Sequence, residues 1–359
     1  MSVERAIELQ ERAWELQAAG SLDAAFDAAQ QALELIVVAE GRVSGDAANL
    51  LNDLSEIERD RQRFGAAVAF AEQSRDVQLA LGGAFEGEDA QRIRMKTASL
   101  LGELYRIRGD YAQAELELLA ALVIARELVD APEVLALSAN DLGVLYKYWG
   151  RFDEAMAHYG EALRVMRAIH GEGSLQVGGL LHNIGGLFHA RGDFAAAEPP
   201  SRQAWEISRS LRGEHDTATL RDATAHAAVL QGLGRYRESE AIYRRALGAY
   251  RAALGPRHYE VAATLHDLAA VVSDLDDRVE AELLYREALA LKQDLLGDDN
   301  PDVALTQNNL GRLLAEGGRS LEAENLLETA NATLARRLPH GHPIRERAER
   351  NLAQVRGLR

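Results

Sequence analysis

The sequence predicts an all-α protein, a helical solenoid of about eight consecutive helix pairs followed by one unpaired helix. Three observations carry this. A turn residue recurs at Gly20, Gln62, Gly109, Gly150, Gly192, Gly234, Asp276 and Gly318, at intervals of 42, 47, 41, 42, 42, 42 and 42. Five residues after each turn stands Ala or Ser, and seven residues later Ala or Ser again, in all eight registers. Small side chains at fixed positions are what closely crossing helices require, since larger ones push the axes apart. Apolar residues on both sides of each turn also recur at helical spacing, so each turn joins two amphipathic helices into a hairpin.

The pairs fall at about 4–45, 46–88, 89–130, 131–172, 173–214, 215–257, 258–299 and 300–341. The first departs from the pattern with Arg12 where Leu is expected. The second carries Ser55 and Glu58 at the small and aromatic positions, and a five-residue insertion around 82–87 predicts a longer loop after it. The third has Leu101, Gly102 and Tyr105 before its turn and Ala114 and Ala121 after it. The fourth is the clearest: Leu142, Gly143, Tyr146 and Trp149 lead to Gly150, and Ala155, Tyr159, Ala162 and Leu163 follow. The fifth repeats the plan with Ile184, Gly185, Phe188, Ala197 and Ala204. Its second helix contains Pro199 and Pro200, which predicts a local kink or a frayed first turn. The sixth to eighth pairs keep the small residues, although Arg278 and Ser320 weaken the apolar position after the last two turns. Pro301, Asn309 and Leu310 return 42 residues later as Pro343, Asn351 and Leu352, so 343–359 reads as a polar capping helix over the last apolar face.

The 359 residues are 47% hydrophobic and 27% charged, which fits a packed chain and excludes disorder. Cysteine is absent, removing disulfides, thiolate metal sites and a cysteine nucleophile together. The net charge of −16 argues against a phosphate-backbone partner, so no nucleic acid is expected. No apolar run reaches the roughly 18 residues of a membrane span, and charges fill the first turns, so neither a membrane nor a signal peptide is expected. The expected location is cytoplasmic.

The residues of the fourth pair resemble the tetratricopeptide repeat, whose signature is Leu-Gly and an aromatic on the first helix and small-aromatic-small on the second. Leu142, Gly143, Tyr146, Ala155, Tyr159 and Ala162 match it. The period of about 42, Asn308-Asn309-Leu310-Gly311 and the Gly-containing linkers at 254–258 and 296–301 are similar to the long-repeat, kinesin-light-chain-like branch. The resemblance implies a right-handed superhelix whose first helices line a concave groove. It also implies a use for the residue two before each Leu, which runs Gln10, Asn52, Ser99, Asn140, His182, Thr224, His266, Asn308. Such a ladder can bind a peptide main chain as donor and acceptor; alternatively its members are solvated or bond across neighbouring repeats.

Other groove positions fall four, seven and eight residues beyond the ladder. They include Glu56, Arg59, Glu103, Arg106, Lys147 and Tyr148, then Gly186 and His189. Gly186 and Gly179 lack a packing reason within the repeat code, and each Gly costs up to about 1 kcal/mol in a helix. A depression near His182, His189 and Tyr148 that admits a partner's side chain is expected. His182 and His189 lie two turns apart, about 10 Å, too far to share a metal ion alone. No phosphate loop, metal-binding helix motif or triad spacing is present, so no catalytic residue, metal or cofactor is expected, and the chain is not expected to be an enzyme.

The expected function is that of an interaction module holding an extended peptide or protein segment through Asn52, Ser99, Asn140, Lys147, Tyr148, His182, Gly186, His189, Thr224, His266 and Asn308. Two rivals stand beside it. One is a structural scaffold or self-assembling subunit, with Trp14 near one end as a candidate contact. The other is the regulatory arm of a protease or signalling ATPase supplied by another chain.

Overall fold

A computed structural model describes residues 2–128, 131–338, 340 and 342–357. Among the described residues there are seventeen α-helices, one short 3-10 turn and no strand. None of these helices is long and apolar enough to cross a membrane. The chain divides into two compact units, Met1–Glu172 and Gly173–Arg359.

The first unit holds α1 (Ser2–Ala18), α2 (Leu22–Glu40), α3 (Gly45–Asp60) and α4 (Phe64–Leu81), then α5 (Glu88–Arg108), α6 (Tyr111–Glu127), α7 (Pro132–Trp149) and α8 (Phe152–His170). The second holds α9 (Leu175–Arg191), α10 (Phe194–Arg212), α11 (Thr217–Gly232), α12 (Tyr236–Leu254) and α13 (Tyr259–Asp274). It continues with α14 (Arg278–Leu296), α15 (Pro301–Glu316), α16 (Ser320–Arg337) and α17 (Pro343–Gly357). Within each unit, consecutive odd- and even-numbered helices pack as hairpins.

The hairpins close in the same way throughout. All eight turn residues have left-handed backbone, with φ between 61° and 83°. In the fourth pair Gly150 N–H donates to Lys147 C=O at 3.2 Å and Arg151 N–H to Tyr146 C=O at 2.8 Å, satisfying the last carbonyls of α7. Six of the eight are Gly, which takes this conformation without a Cβ penalty, whereas Gln62 and Asp276 adopt it as non-glycine residues. Helix starts use local caps: Ser174 accepts from Val177 N–H, Asp216 from Ala218 and Thr219 N–H, and Asn300 from Asp302 N–H.

The sixteen small residues that define the period are buried, none more than 2% exposed. The glycine of the Leu-Gly pair sits under a side chain of the second helix. A Cβ on Gly143 would lie 2.5 Å from the Tyr159 ring, and one on Gly102 would lie 2.4 Å from Leu118. In the second pair Ser55 takes the glycine's place and its hydroxyl donates to Ala67 C=O at 2.8 Å, so the substitution leaves no unpaired group inside.

Of two irregularities, the first gives the longer connection expected and the second departs from expectation. The insertion at 82–87 contains a 3-10 turn, Gly82–Ala84, and Phe85, buried, packs against Gly45 while Arg94 hydrogen-bonds its carbonyl. In α10, Pro199 and Pro200 lie inside a helix that runs unbroken from Phe194, so the first turn is not frayed. Asp193 caps that turn by accepting from Ala196 N–H at 3.1 Å.

Candidate functional site

The expected groove residues occupy three settings. In the first unit, α3, α5 and α7 line a groove of about 600 Å³. Its apolar lining includes Met95, Leu100, Leu137 and Val144, and Ser99 lines it with them. Charged side chains line it as well. Arg59 pairs with Glu103 at 2.9 Å, and Lys96 pairs with Glu56 at 2.8 Å and with the buried Asp53 at 2.7 Å. Asp141 lines the same groove and is hydrogen-bonded by Asn140; burial, with the charge of Glu103 added, pushes its carboxyl up to about 6. Leu137 and Asp141 escaped the sequence reading because the groove registers were taken only at the ladder and four, seven and eight residues beyond it. Lys147 and Tyr148 lie at the end of α7, with Tyr148 58% exposed.

In the second unit a cavity of about 120 Å³ is bounded by His182, Gly185, Gly186, His189, Ser201, Asp222, Ala225, Ala228 and Val229. His182 Nδ1 lies 2.8 Å from Asp222, whose other carboxylate oxygen accepts the Ser208 hydroxyl. With Asp222 ionised, Nδ1–H of His182 donates to it and Nε2 is left as the ring's second polar atom. His189 packs edge-on against Phe194, and burial lowers its imidazole from the ordinary value, which keeps it neutral.

The cavity has a cause that the 42-residue register displays. At the position of Tyr159, Tyr243 and Tyr285, the fifth pair has Ser201; at the Leu position of α11 stands His226. Ser201 Oγ and His226 Nδ1 are 3.0 Å apart, both residues buried, and the His226 ring lies 5.7 Å from that of Trp205. A polar pair thus replaces two apolar side chains, and the missing ring volume leaves space beside Gly186. Ser201 and His226 were overlooked because each looks unremarkable in its own helix; only their shared position across two pairs shows the exchange.

Three ladder residues correct the expectation of an open polar row. Asn52, His266 and Asn308 are buried, at 0%, 7% and 1% exposure. Asn52 accepts from the Thr97 hydroxyl at 3.0 Å. His266 bonds Thr306 through Nδ1 at 3.0 Å and Asn309 through Nε2 at 3.2 Å. Asn308 donates to Asn309 and accepts from Asn351 of α17 at 3.0 Å. Adjacent first helices close over these positions, and each buried amide or imidazole is satisfied by the next helix in the stack. Burial, with Lys292 and Arg347 adding to it, pushes the His266 imidazole down to about 3. Ser99, Asn140, His182 and Thr224 remain partly exposed, although the Thr224 hydroxyl donates to Arg221 C=O on its own helix.

Paired helices with a glycine-small packing code define a class, the helical repeat proteins. A MalT-like TPR region model matches residues 84–254, and a tetratricopeptide repeat model matches 216–294 and 284–333, so the two together run through well over half the chain. The chain belongs to the tetratricopeptide-repeat superfamily. No curated protein matches it. Among solved structures, BtubC (BKLC) from P. vanneervenii is 23% identical, with 65% of this chain and 92% of that one covered and a TM-score of 0.55. The apo form of the quorum sensor NprR from B. thuringiensis is 12% identical, with 92% and 87% covered and a TM-score of 0.71. A Rap protein complexed with Competence and Sporulation Factor is 14% identical, with 100% and 99% covered and a TM-score of 0.59. At these identities the likeness is one of fold.

Proposed function

We propose that the chain is a non-enzymatic interaction module that holds an extended peptide or protein segment against its first helices. The observation that supports this reading best is the groove of about 600 Å³ along α3, α5 and α7, lined by both apolar and charged side chains. An extended segment presents alternating side chains and main-chain amides, which such a groove serves with apolar contact and hydrogen bonds. Ser99 and Asn140 are the main-chain contacts in the first unit, with Lys147 and Tyr148 beyond them. His182, Gly186, His189 and Thr224 serve the second, where the smaller cavity takes one side chain. Asn52, His266 and Asn308 act as struts that keep the first helices in place. The names of two similar proteins, a quorum sensor and a protein complexed with Competence and Sporulation Factor, agree with a binding or regulatory role.

Affinity capture from the native cell, followed by mapping with Asn140→Ala and His182→Ala, tests the proposal. Each substitution is expected to weaken capture about five- to ten-fold, the loss of one hydrogen bond in each case. Capture unaltered by both removes the groove reading. A second reading, self-association, is favoured by one feature: Ile7 and Trp14, two turns apart on α1, are 50% and 47% exposed. Sedimentation of the wild type beside Trp14→Ser decides it, since a self-associating protein would lose mass with the substitution.

A further inference from the structure

The outer face of α6 departs from the other second helices. Leu116, Leu119 and Val123 share one side of the helix and are 62%, 38% and 55% exposed, with Ala112 and Ala120 exposed among them. At the Leu119 position of the repeat register the other seven pairs carry Arg, Glu, Gln or Gly. At the Val123 position they carry Asp, Glu, Arg, Gly or Ala. Only α6 has a large apolar residue at both.

The stack explains the usual residues and not these. Arg244 and Arg286, at the Leu119 position, pair with Glu280 and Glu322 of the following second helix at 2.8 and 2.6 Å. The corresponding acid of α8 is Glu154, which Arg151 holds at 3.0 Å instead. Three charges of α6 stand beside the apolar stripe and are engaged within the chain. Glu115 pairs with Arg151 at 2.7 Å, Glu117 with Arg75 at 2.9 Å and Arg126 with Glu161 at 3.3 Å. The stripe is therefore left bare between neutralised flanks, in a chain whose net charge of −16 sets two copies against each other elsewhere.

The stripe also complements itself. Let two α6 helices lie antiparallel across a two-fold axis that passes between Leu119 and Ala120. Leu116 then meets the second copy's Val123, and Leu119 meets the second copy's Ala120, each contact occurring twice. Large side chains face a β-branched or a small one, and the exposed Ala112 and Ala120 let the helix axes approach. Towards the ends Gln113 faces Arg126 and Ala112 faces Glu127, so no like charges oppose.

We propose that α6 is the contact of a two-fold dimer, in which Leu116, Leu119 and Val123 of one copy pack against the same stripe of a second copy. The proposal is independent of the groove reading, and it places self-association away from Ile7 and Trp14 of α1. A contact built on one helix face makes a weak, reversible dimer.

Sedimentation equilibrium of the full chain at rising concentration is expected to show that dimer. Leu119→Arg installs the residue that Arg202, Arg244 and Arg286 supply in other pairs. Because the substitution enters the interface once from each copy, it is expected to weaken the dimer about a hundred-fold, with the thermal midpoint kept within a few degrees. The chain has no cysteine, so Ala120→Cys introduces a single thiol beside the axis and reads the contact with the stripe intact. Mild oxidation is expected to link two such copies by a disulfide, and to link Ala157→Cys, exposed on α8, far more slowly. A wild type that stays monomeric overturns the proposal and leaves the stripe to a different partner. A dimer that survives Leu119→Arg also overturns it, as does equal linking of the two cysteine variants. Loss of the dimer with Trp14→Ser but not with Leu119→Arg assigns the contact to α1 instead.

Discussion

The fourth and fifth helix pairs share one plan and differ in what fills it. In α7 and α8, Gly143 lies beneath the fully buried Tyr159, whose ring fills the space between the helices. In α9 and α10, a Cβ on Gly185 would lie 3.1–3.3 Å from the Cβ and backbone of Ser201, and a cavity of about 120 Å³ remains beside Gly186. The small residues Ala155, Ala162, Ala197 and Ala204 are buried in both. The repeat code therefore sets how the helices meet. Departures from it at one aromatic and one Leu position, Ser201 and His226, decide whether the meeting place is solid or hollow.

The largest expected effect comes from making the solid pair hollow. Tyr159→Ser should cost about 3–5 kcal/mol, the usual cost of deleting a buried aromatic ring, read as a lower urea midpoint with unchanged slope. A cost under about 1 kcal/mol would mean that the ring is not the filler the contrast requires.

A closed ladder position sharpens the contrast in a different way. His266 is shut into its network with an imidazole pushed down to about 3, whereas the unfolded chain protonates near 6.5. Between these values the unfolded state binds the extra proton, so stability contributed by neutral His266 is complete above about 6.5. It falls by about 1.4 kcal/mol per pH unit below that. At pH 5 the loss is about 2 kcal/mol. Asp267, whose carboxyl burial pushes up to about 6, has the opposite sign and offsets part of it. The His266→Gln variant isolates the imidazole: its stability should decline less steeply from pH 6.5 to 5 than that of the wild type.

Gly143→Ala is expected to cost about 1–3 kcal/mol, because the new methyl meets a ring with no space to move into. Gly185→Ala should cost less, since its neighbours must yield by only a few tenths of an ångström. The smallest effect has the opposite sign. Gly186→Ala should stabilise the fold by about 0.5–1 kcal/mol through helix propensity while narrowing the cavity. Thermal midpoints of the three variants, measured side by side, give the order directly.

The fold was legible in the sequence because its determinants are local and periodic. The turn residues, Gly143, Ala155 and Ala162 each mark a contact inside one hairpin, and eight registers repeat it. Even Gln62 and Asp276, which lack the glycine their backbone favours, were placed by period alone. The candidate site was legible only as a set of registers. Whether Asn140 stays partly exposed while Asn308 is buried depends on how tightly the next first helix closes over it, and no residue within the repeat records that distance. The Ser201–His226 exchange spans two helix pairs, and each residue looks ordinary until the helices are stacked.

The measurement that tests the central claim most directly is the affinity of a captured partner segment for Gly186→Leu, which fills the hollow of the fifth pair. A groove that uses this hollow predicts about a ten-fold loss of affinity or more, with the thermal midpoint kept within a few degrees of the wild type. Undiminished affinity in a folded Gly186→Leu protein would contradict it.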